Sequence, residues 1–246
     1  MKLNENYIVR LAKVNDANSI YNLSKFAKSG LSNLPKTLKE TKELLTYSEL
    51  SVNNKIHPNK KKFVFVLENH EEGVIGISGI KAKTGVERAF YSFSYYQNTP
   101  YPYLELEKQF LGPSEIGSLF LSPKFRNKKV GRLLSLSRFL FIHSFDEFFT
   151  RTIIAELRGY LFKNNVSPIW NAIGKKFIRT SFHNADINAS KDIDFIEKKF
   201  PKKPIYLNLL PKNSIKYFQQ VHPFTEPAKN LLLKEGFKVM NQVDIF

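Results

Sequence analysis

The sequence contains no cysteine among its 246 residues. This absence excludes disulfide bonds, thiolate metal sites and a cysteine nucleophile, and it fits a reducing compartment such as the cytoplasm. No apolar run approaches the roughly 18 residues that a membrane-spanning helix requires. The first ten residues, MKLNENYIVR, include no apolar segment of the kind that a secretory signal needs. We therefore expect a cytoplasmic protein without a membrane span.

Acidic residues are scarce relative to basic ones: 22 Asp and Glu stand against 38 Lys and Arg, which gives a net charge of +16. Nucleic acid, an anionic membrane surface and a phosphate-bearing cofactor would all suit this excess. The lysines, however, occur in scattered pairs such as Lys128-Lys129 and Lys198-Lys199, and Asn, Ile and Phe are abundant, as in proteins from AT-rich genomes. Most lysines are therefore interpreted as solvated residues without a dedicated partner. A basic nucleic-acid-binding module remains an alternative, although no motif of that class is present.

Hydrophobic periodicity predicts an α/β protein. The predicted strands span 7–11, 63–68, 74–82, 90–96, 115–121, 151–157, 205–210 and 237–246, and the second and third form a hairpin. The predicted helices span 15–28, 36–50, 128–148, 168–173 and 226–235, with Gly174 ending the fourth. The stretch 98–103 contains two prolines and is predicted to be a loop.

The segment from Ser122 to Phe141, SPKFRNKKVGRLLSLSRFLF, places basic residues at the start of a predicted helix. The helix dipole makes that end positive, so the choice is unfavourable unless an anion binds there. Free N–H groups at a helix start bind phosphate oxygens, and glycine lets the backbone approach them closely. In GNAT-type acyltransferases such a turn holds the diphosphate of coenzyme A, with Arg or Gln, two residues, Gly, one residue and Gly. Here Arg126 opens the pattern and only the second glycine, Gly131, is present.

The wider sequence resembles the arginine N-succinyltransferase family, a bacterial branch of the GNAT-like fold. The matching blocks occur in family order over nearly the whole chain. They are GLSNLP, FVFVLE, GISGI, SEIGSLFLSPKFR with GRLLSLSRFLF, IAELRG, SPIWNAIGKKF, PIYLNLLP, QVHPFTEPAKNLLLKEGF and the terminal VDIF. The resemblance implies a GNAT-like mixed central sheet flanked by helices. It also implies one acyltransferase unit over residues 1–246, with an N-terminal strand-helix region (1–110), a CoA-binding β-α-β region (114–178) and a C-terminal region (200–246).

The resemblance implies transfer of a succinyl group from succinyl-CoA to the α-amino group of L-arginine, the first step of an arginine degradation route. Succinyl-CoA would be a co-substrate, with no permanently bound cofactor and no metal. The family also implies small-molecule substrates and a homo- or hetero-oligomer with a related chain. It gives no reason to expect a nucleic-acid or membrane partner.

The resemblance places a succinyl-CoA contact at Leu119 and a proton donor at His222. The strand edge from Leu119 to Leu121 could offer backbone N–H groups to the thioester oxygen, and a histidine titrates near neutrality. The residues predicted to bind the acyl donor succinyl-CoA are Leu119, Leu121, Arg126, Lys129, Gly131 and Arg132. The other histidines, His57, His70, His143 and His183, are interpreted as structural or solvent-exposed.

An arginine substrate needs carboxylates for its guanidinium group. Glu156 is the candidate, and Asp186 and Asp244 are weaker ones. For each of them an ordinary ion pair or turn role is the alternative.

The chain departs from the family pattern in three places. Lys129 replaces the usual glycine; if that position needs a positive φ, lysine costs about 1 kcal/mol, although its side chain could add a phosphate contact. The segment 91–114 is shorter than in the family, and the chain stops at Phe246 where family members continue. These departures leave two alternatives, a catalytically impaired remnant and an acyltransferase with another acyl-CoA and amine pair.

Overall fold

The computed structural model describes residues 6–27, 34–87, 89–109, 111–126, 129–162, 166–191 and 195–244. The chain divides into two compact units, a first unit of residues 1–87 and 111–156 and a second unit of residues 88–110 and 157–246. Among the described helices, none combines the length and apolarity that crossing a membrane requires.

The strands are β1 (Tyr7–Leu11), β2 (Lys62–Asn69), β3 (Gly73–Lys81), β4 (Phe90–Tyr96), β5 (Tyr103–Gln109), β6 (Ser114–Leu121), β7 (Ile153–Ile154), β8 (Ile205–Tyr206) and β9 (Gln242–Val243). The α-helices are α1 (Ala17–Ser24), α2 (Leu38–Val52), α3 (Val130–Ser144), α4 (Lys175–Phe177), α5 (Phe182–Lys191), α6 (Phe195–Lys199), α7 (Lys212–Ile215) and α8 (Glu226–Lys234).

The first unit is built on a five-stranded sheet in the order β1-β2-β3-β6-β7. All neighbours are antiparallel except β6 and β7, which are parallel and joined through α3, as a β-α-β crossover requires. Helices α1 and α2 cover one face over a core that includes Ile20, Leu45 and Ile77. Helix α3 covers the other face, where Phe141 packs on Phe63 and Phe65 with ring centroids 4.8 and 5.1 Å apart.

Helix α3 lies so close to the sheet that β3 needs a glycine beneath it. A Cβ atom on Gly76 would lie 2.9 Å from Leu134 Cδ2 and 3.2 Å from the Phe120 carbonyl oxygen. The helix position is thereby fixed directly beside the end of β6. This is the region of the first unit that carries the predicted acyl-donor residues.

The second unit is built on a four-stranded antiparallel sheet in the order β8-β5-β4-β9. Its core includes Phe93, Leu104, Trp170 and Ile173. A π-helix over Trp170–Gly174 runs directly into α4. A Cβ atom on Gly174 would lie 2.1 Å from Trp170 Cε3, so only glycine fits under this indole.

Several predicted boundaries are confirmed, and others are wrong. The hairpin of β2 and β3 and the β6–α3 segment are present, although α3 begins at Val130 and Lys128 lies outside the described residues. The predicted strands 151–157 and 205–210 shorten to β7 and β8, and the described part of 237–246 contains β9, because few residues there pair with a neighbour. Residues 245 and 246 lie outside the described residues. Gly174 does not end its helix, since it sits in the π-helical turn that Trp170 covers. Strand β5 and helices α5, α6 and α7 had no predicted counterpart.

Candidate active site

Strand β6 contains a bulge next to the predicted acyl-donor contact. Gly79 pairs with Gly117 and Ile77 pairs with Phe120, so Ser78 on β3 faces both Ser118 and Leu119 on β6. Ser118 has a φ of 52°, in the left-handed region that non-glycine residues rarely adopt. A bulge interrupts the hydrogen-bond ladder and redirects the strand. The backbone around Leu119 therefore leaves regular pairing at the position where a thioester oxygen is expected to bind.

The turn after β6 is hydrogen-bonded to strands β3 and β6. The Ser122 N–H donates to the Ile75 carbonyl at 2.8 Å, and Pro123–Phe125 form one turn of 3-10 helix. The Arg126 guanidinium donates through Nε to the Leu121 carbonyl at 3.4 Å and lies over the Phe120 ring at 5.6 Å. Arg126 is thus held at the strand end while its side chain stays largely exposed.

Lys129 occupies the cap position of α3 in a left-handed conformation, with φ 61° and ψ −2°. Because this position has a positive φ, lysine in place of the usual glycine carries a backbone cost of about 1 kcal/mol. Its side chain is exposed and makes no capping hydrogen bond. The Arg132 N–H donates to the Lys129 carbonyl at 3.2 Å, but the Lys129 side chain satisfies none of the free N–H groups at the α3 N-terminus.

Gly131 and Arg132 lie in the first turn of α3. A Cβ atom on Gly131 would lie 3.5 Å from Leu121 Cδ2, an ordinary contact, so packing alone does not demand glycine at this position. Arg132 is exposed. The residues predicted to bind the acyl donor thus surround the end of β6 and the start of α3, all in the first unit.

Sequence reasoning missed a buried polar layer between α3 and the sheet. Arg138 is 2% exposed, and its Nε and one terminal nitrogen donate to the carbonyl and Oγ of Ser135 at 3.2 and 2.7 Å. Burial lowers the pKa of Arg138 to about 10. The sequence signal was an arginine one turn beyond Leu134, on the apolar face of the helix.

His222 belongs to the second unit and is 7% exposed. Its backbone N–H donates to the Arg158 carbonyl at 2.7 Å, and its Nδ1 accepts the Phe224 N–H at 3.1 Å. This bond assigns the ring proton of the neutral imidazole to Nε2. Burial, followed by the positive charge of Arg158, lowers the pKa of His222. The ring is therefore neutral near pH 7, with Nε2–H as its donor.

Arg158 fixes the segment that carries His222. Its guanidinium pairs with Asp186 at 3.0 Å and lies 4.9 Å from the Phe182 ring centroid. The segment after Arg158 is hydrogen-bonded to the segment before His222, because the Tyr160 N–H donates to the Gln220 carbonyl at 3.0 Å. Asp186 therefore has an ion-pair role inside the unit. Glu156 and Asp244 are both exposed.

Within the described ranges, no group of three or more His, Asp or Glu side chains is placed to hold a metal ion.

A mixed sheet whose bulged strand leads through a basic turn into a helix defines an acyltransferase of the GNAT type, which confirms the predicted fold class. The AstA family model, described as arginine N-succinyltransferase beta subunit, matches residues 7–246. The chain therefore belongs to the arginine N-succinyltransferase family.

Individual relatives agree with this assignment. The arginine N-succinyltransferase of Photorhabdus laumondii is 34% identical over 251 residues, which cover 97% of this chain and 73% of that protein. The Yersinia pestis arginine N-succinyltransferase is 32% identical, with 97% and 71% covered. The structure of arginine/ornithine succinyltransferase subunit AI from Pseudomonas aeruginosa superposes with a TM-score of 0.83 at 26% identity, over 98% of this chain and 74% of that one.

Proposed function

We propose that this protein transfers the succinyl group of succinyl-CoA to the α-amino group of L-arginine. The observation that carries the proposal is the bulged β6 strand running into helix α3, in a chain of the arginine N-succinyltransferase family. In the reaction the amine nitrogen bonds to the thioester carbon and the carbon–sulfur bond breaks. One proton leaves the nitrogen and one is taken up by the CoA sulfur.

The diphosphate of succinyl-CoA would bind at the start of α3. The uncapped N–H groups of this helix and its dipole favour an anion there. Arg126, Lys129 and Arg132 surround the same helix start with positive charge, and Gly131 presents no side chain. Succinyl-CoA is in this account a substrate that arrives and leaves as CoA, not a resident cofactor.

The thioester oxygen would be bound by backbone N–H groups at the β6 bulge, near Leu119 and Leu121. Donors fixed in this way stabilise the oxyanion that develops when the amine attacks, without reorganising during the reaction. The left-handed Ser118 is what redirects the strand at this position.

His222 is the proposed proton donor to the departing sulfur. Its Nδ1 is occupied by the Phe224 N–H, so Nε2 is the atom that can donate. Glu156 remains the proposed partner of the substrate guanidinium. We further propose that the protein acts in the cytoplasm. The description of the family as a beta subunit supports assembly with a second or related chain.

The test is thiol release from succinyl-CoA with and without L-arginine. A thiol-reactive dye is well suited because the protein contains no cysteine of its own. We expect release that depends on L-arginine and falls by about 10²-fold or more in His222→Ala. His183→Ala, an exposed histidine of the same unit, is the matched control and should keep full activity.

Release that is independent of L-arginine, or equal in wild type and His222→Ala, would contradict the proposal. Absence of release over a panel of acyl-CoAs and amines would favour the catalytically impaired alternative.

A further inference from the structure

Arg138 is a buried cation. It is 2% exposed, and among the described residues its hydrogen bonds go only to Ser135 of its own helix. It forms no ion pair with any residue that the structure describes. Burying an unpaired arginine is strongly unfavourable, so we expect a bound group to compensate it.

The position of Arg138 follows from the contacts on either side of it. Leu134, one turn earlier on α3, lies over Gly76 of β3. Phe141, three residues later, packs on Phe65 of β2. Ser78 follows Gly76 on the same face of β3 and pairs in register with Phe65. Arg138 and Ser78 therefore lie at the same level of the layer between α3 and the sheet.

Ser78 contributes a hydroxyl group without a hydrogen-bond partner to the same layer. It is 0% exposed, and its Oγ has no hydrogen-bond partner among the described residues. Buried hydroxyl groups are almost always bonded to protein or to a bound species. Ser78 is also the β3 residue that faces the β6 bulge formed by Ser118 and Leu119. The Ser78 hydroxyl thus borders the strand irregularity at which the thioester is proposed to bind.

We infer that Arg138, assisted by the Ser78 hydroxyl, binds the terminal carboxylate of the succinyl group. The inference rests on the proposed function, since it names the region of the active site that selects the acyl donor. In succinyl-CoA two methylene groups separate the thioester carbonyl from the carboxylate. A carboxylate reaching from the bulge into the layer between α3 and the sheet would pair with the Arg138 guanidinium and accept a hydrogen bond from the Ser78 hydroxyl.

The same arrangement excludes acyl groups without a charge. Butyryl-CoA has the same chain length as succinyl-CoA, with a methyl group in place of the carboxylate. Its binding would leave the already buried Arg138 charge uncompensated, whereas the succinyl carboxylate would compensate it. Sites that bond a polar group of one substrate discriminate strongly against analogues that lack it.

The experiment compares kcat/KM for succinyl-CoA and butyryl-CoA at saturating L-arginine. We expect wild type to prefer succinyl-CoA by about 10²-fold or more. Arg138→Met should reduce that preference to less than about tenfold, mainly through loss of succinyl-CoA turnover. Arg151→Met, an exposed arginine of the same unit, should leave the ratio unchanged.

Ser78→Ala keeps the inference testable if Arg138→Met does not fold, because it removes only an unbonded hydroxyl. We expect a several-fold loss of succinyl preference in this variant. Retained preference for succinyl-CoA in both Arg138→Met and Ser78→Ala would overturn the inference.

Calorimetric binding of succinyl-CoA, butyryl-CoA and CoA without L-arginine separates this inference from the proposed function. A succinyl preference that Arg138→Met abolishes supports the carboxylate site even if no L-arginine-dependent release is found. Equal binding of succinyl-CoA and butyryl-CoA by wild type would overturn the carboxylate site even if L-arginine is succinylated.

Discussion

Two arginines with largely buried side chains, one in each unit, have opposite surroundings. Arg158 in the second unit pairs with Asp186 and packs on Phe182. Arg138 in the first unit bonds, within the part of the chain that the structure describes, only to its own helix. The charge of Arg158 is thus compensated by a carboxylate, whereas no described residue compensates the charge of Arg138.

The backbone carries local strain in both regions. In the first unit, Ser118 and Lys129 have positive φ, and the Ser78 hydroxyl has no hydrogen-bond partner among the described residues. In the second unit, the N–H, carbonyl and Nδ1 of His222 are all hydrogen-bonded. The second unit also carries such costs, since Gln219 has a φ of 65° and the buried Arg158 Nε has no hydrogen-bond partner among the described residues. The two regions therefore differ in the counter-charge of their buried arginine rather than in backbone strain.

The largest expected effect on stability comes from removing the carboxylate that pairs with Arg158. Asp186→Ala leaves Arg158 largely buried without a partner and should lower the free energy of unfolding by about 2–4 kcal/mol. Urea denaturation measures this, with Asp146→Ala, an exposed aspartate, as the control. An unchanged midpoint for Asp186→Ala would remove the contrast between the two arginines.

Arg138→Met should have a much smaller effect on stability. It removes an uncompensated buried charge and keeps an apolar side chain of similar length, so the free energy of unfolding should stay within about 1 kcal/mol of wild type or increase. The same urea titration without ligand gives the value. A loss as large as that of Asp186→Ala would show that Arg138 is compensated in the free protein.

The pH dependence of stability sharpens the description of His222. Its folded-state pKa lies below the ordinary value of 6.5, so the unfolded chain binds this proton more readily. The neutral ring therefore contributes stability that is present above pH 6.5 and is lost as pH falls through the folded-state pKa. His222→Gln should show a shallower decline than wild type between about pH 7 and 5, by at most about 1.4 kcal/mol per pH unit. Identical slopes in thermal or urea unfolding would contradict the assigned neutral state.

A small effect is also expected at the left-handed cap of α3. Lys129→Gly should raise the free energy of unfolding by about 1 kcal/mol, because glycine adopts positive φ without the steric cost. Lys129→Ala, which keeps that cost, is the comparison variant. If glycine and alanine gave the same stability, the strain assigned to this position would be wrong.

Sequence patterns predicted the first unit better than the second. The hairpin of β2 and β3 and the β6–α3 segment have long, regular periodicity and clear boundaries. Strand β5 was missed because it directly follows the prolines of 98–103. The division into two units was not predicted because residues 88–110 leave the first unit and 111–156 return to it.

The candidate site was predictable only where a motif marks it. The basic turn before Gly131 indicates an anion site on physical grounds, and His222 came from the family resemblance. Arg138 was not predicted, because an arginine within an apolar helical pattern usually extends its charged end to solvent. The positive φ of Ser118 depends on the pairing between β3 and β6, which no local pattern specifies.

The most direct test of this account is a crystal structure with succinyl-CoA bound. We expect the diphosphate at the start of α3, the thioester oxygen at the β6 bulge, and the succinyl carboxylate within hydrogen-bond distance of Arg138. A diphosphate bound elsewhere, with the α3 N-terminus and the Arg138 layer empty, would contradict it.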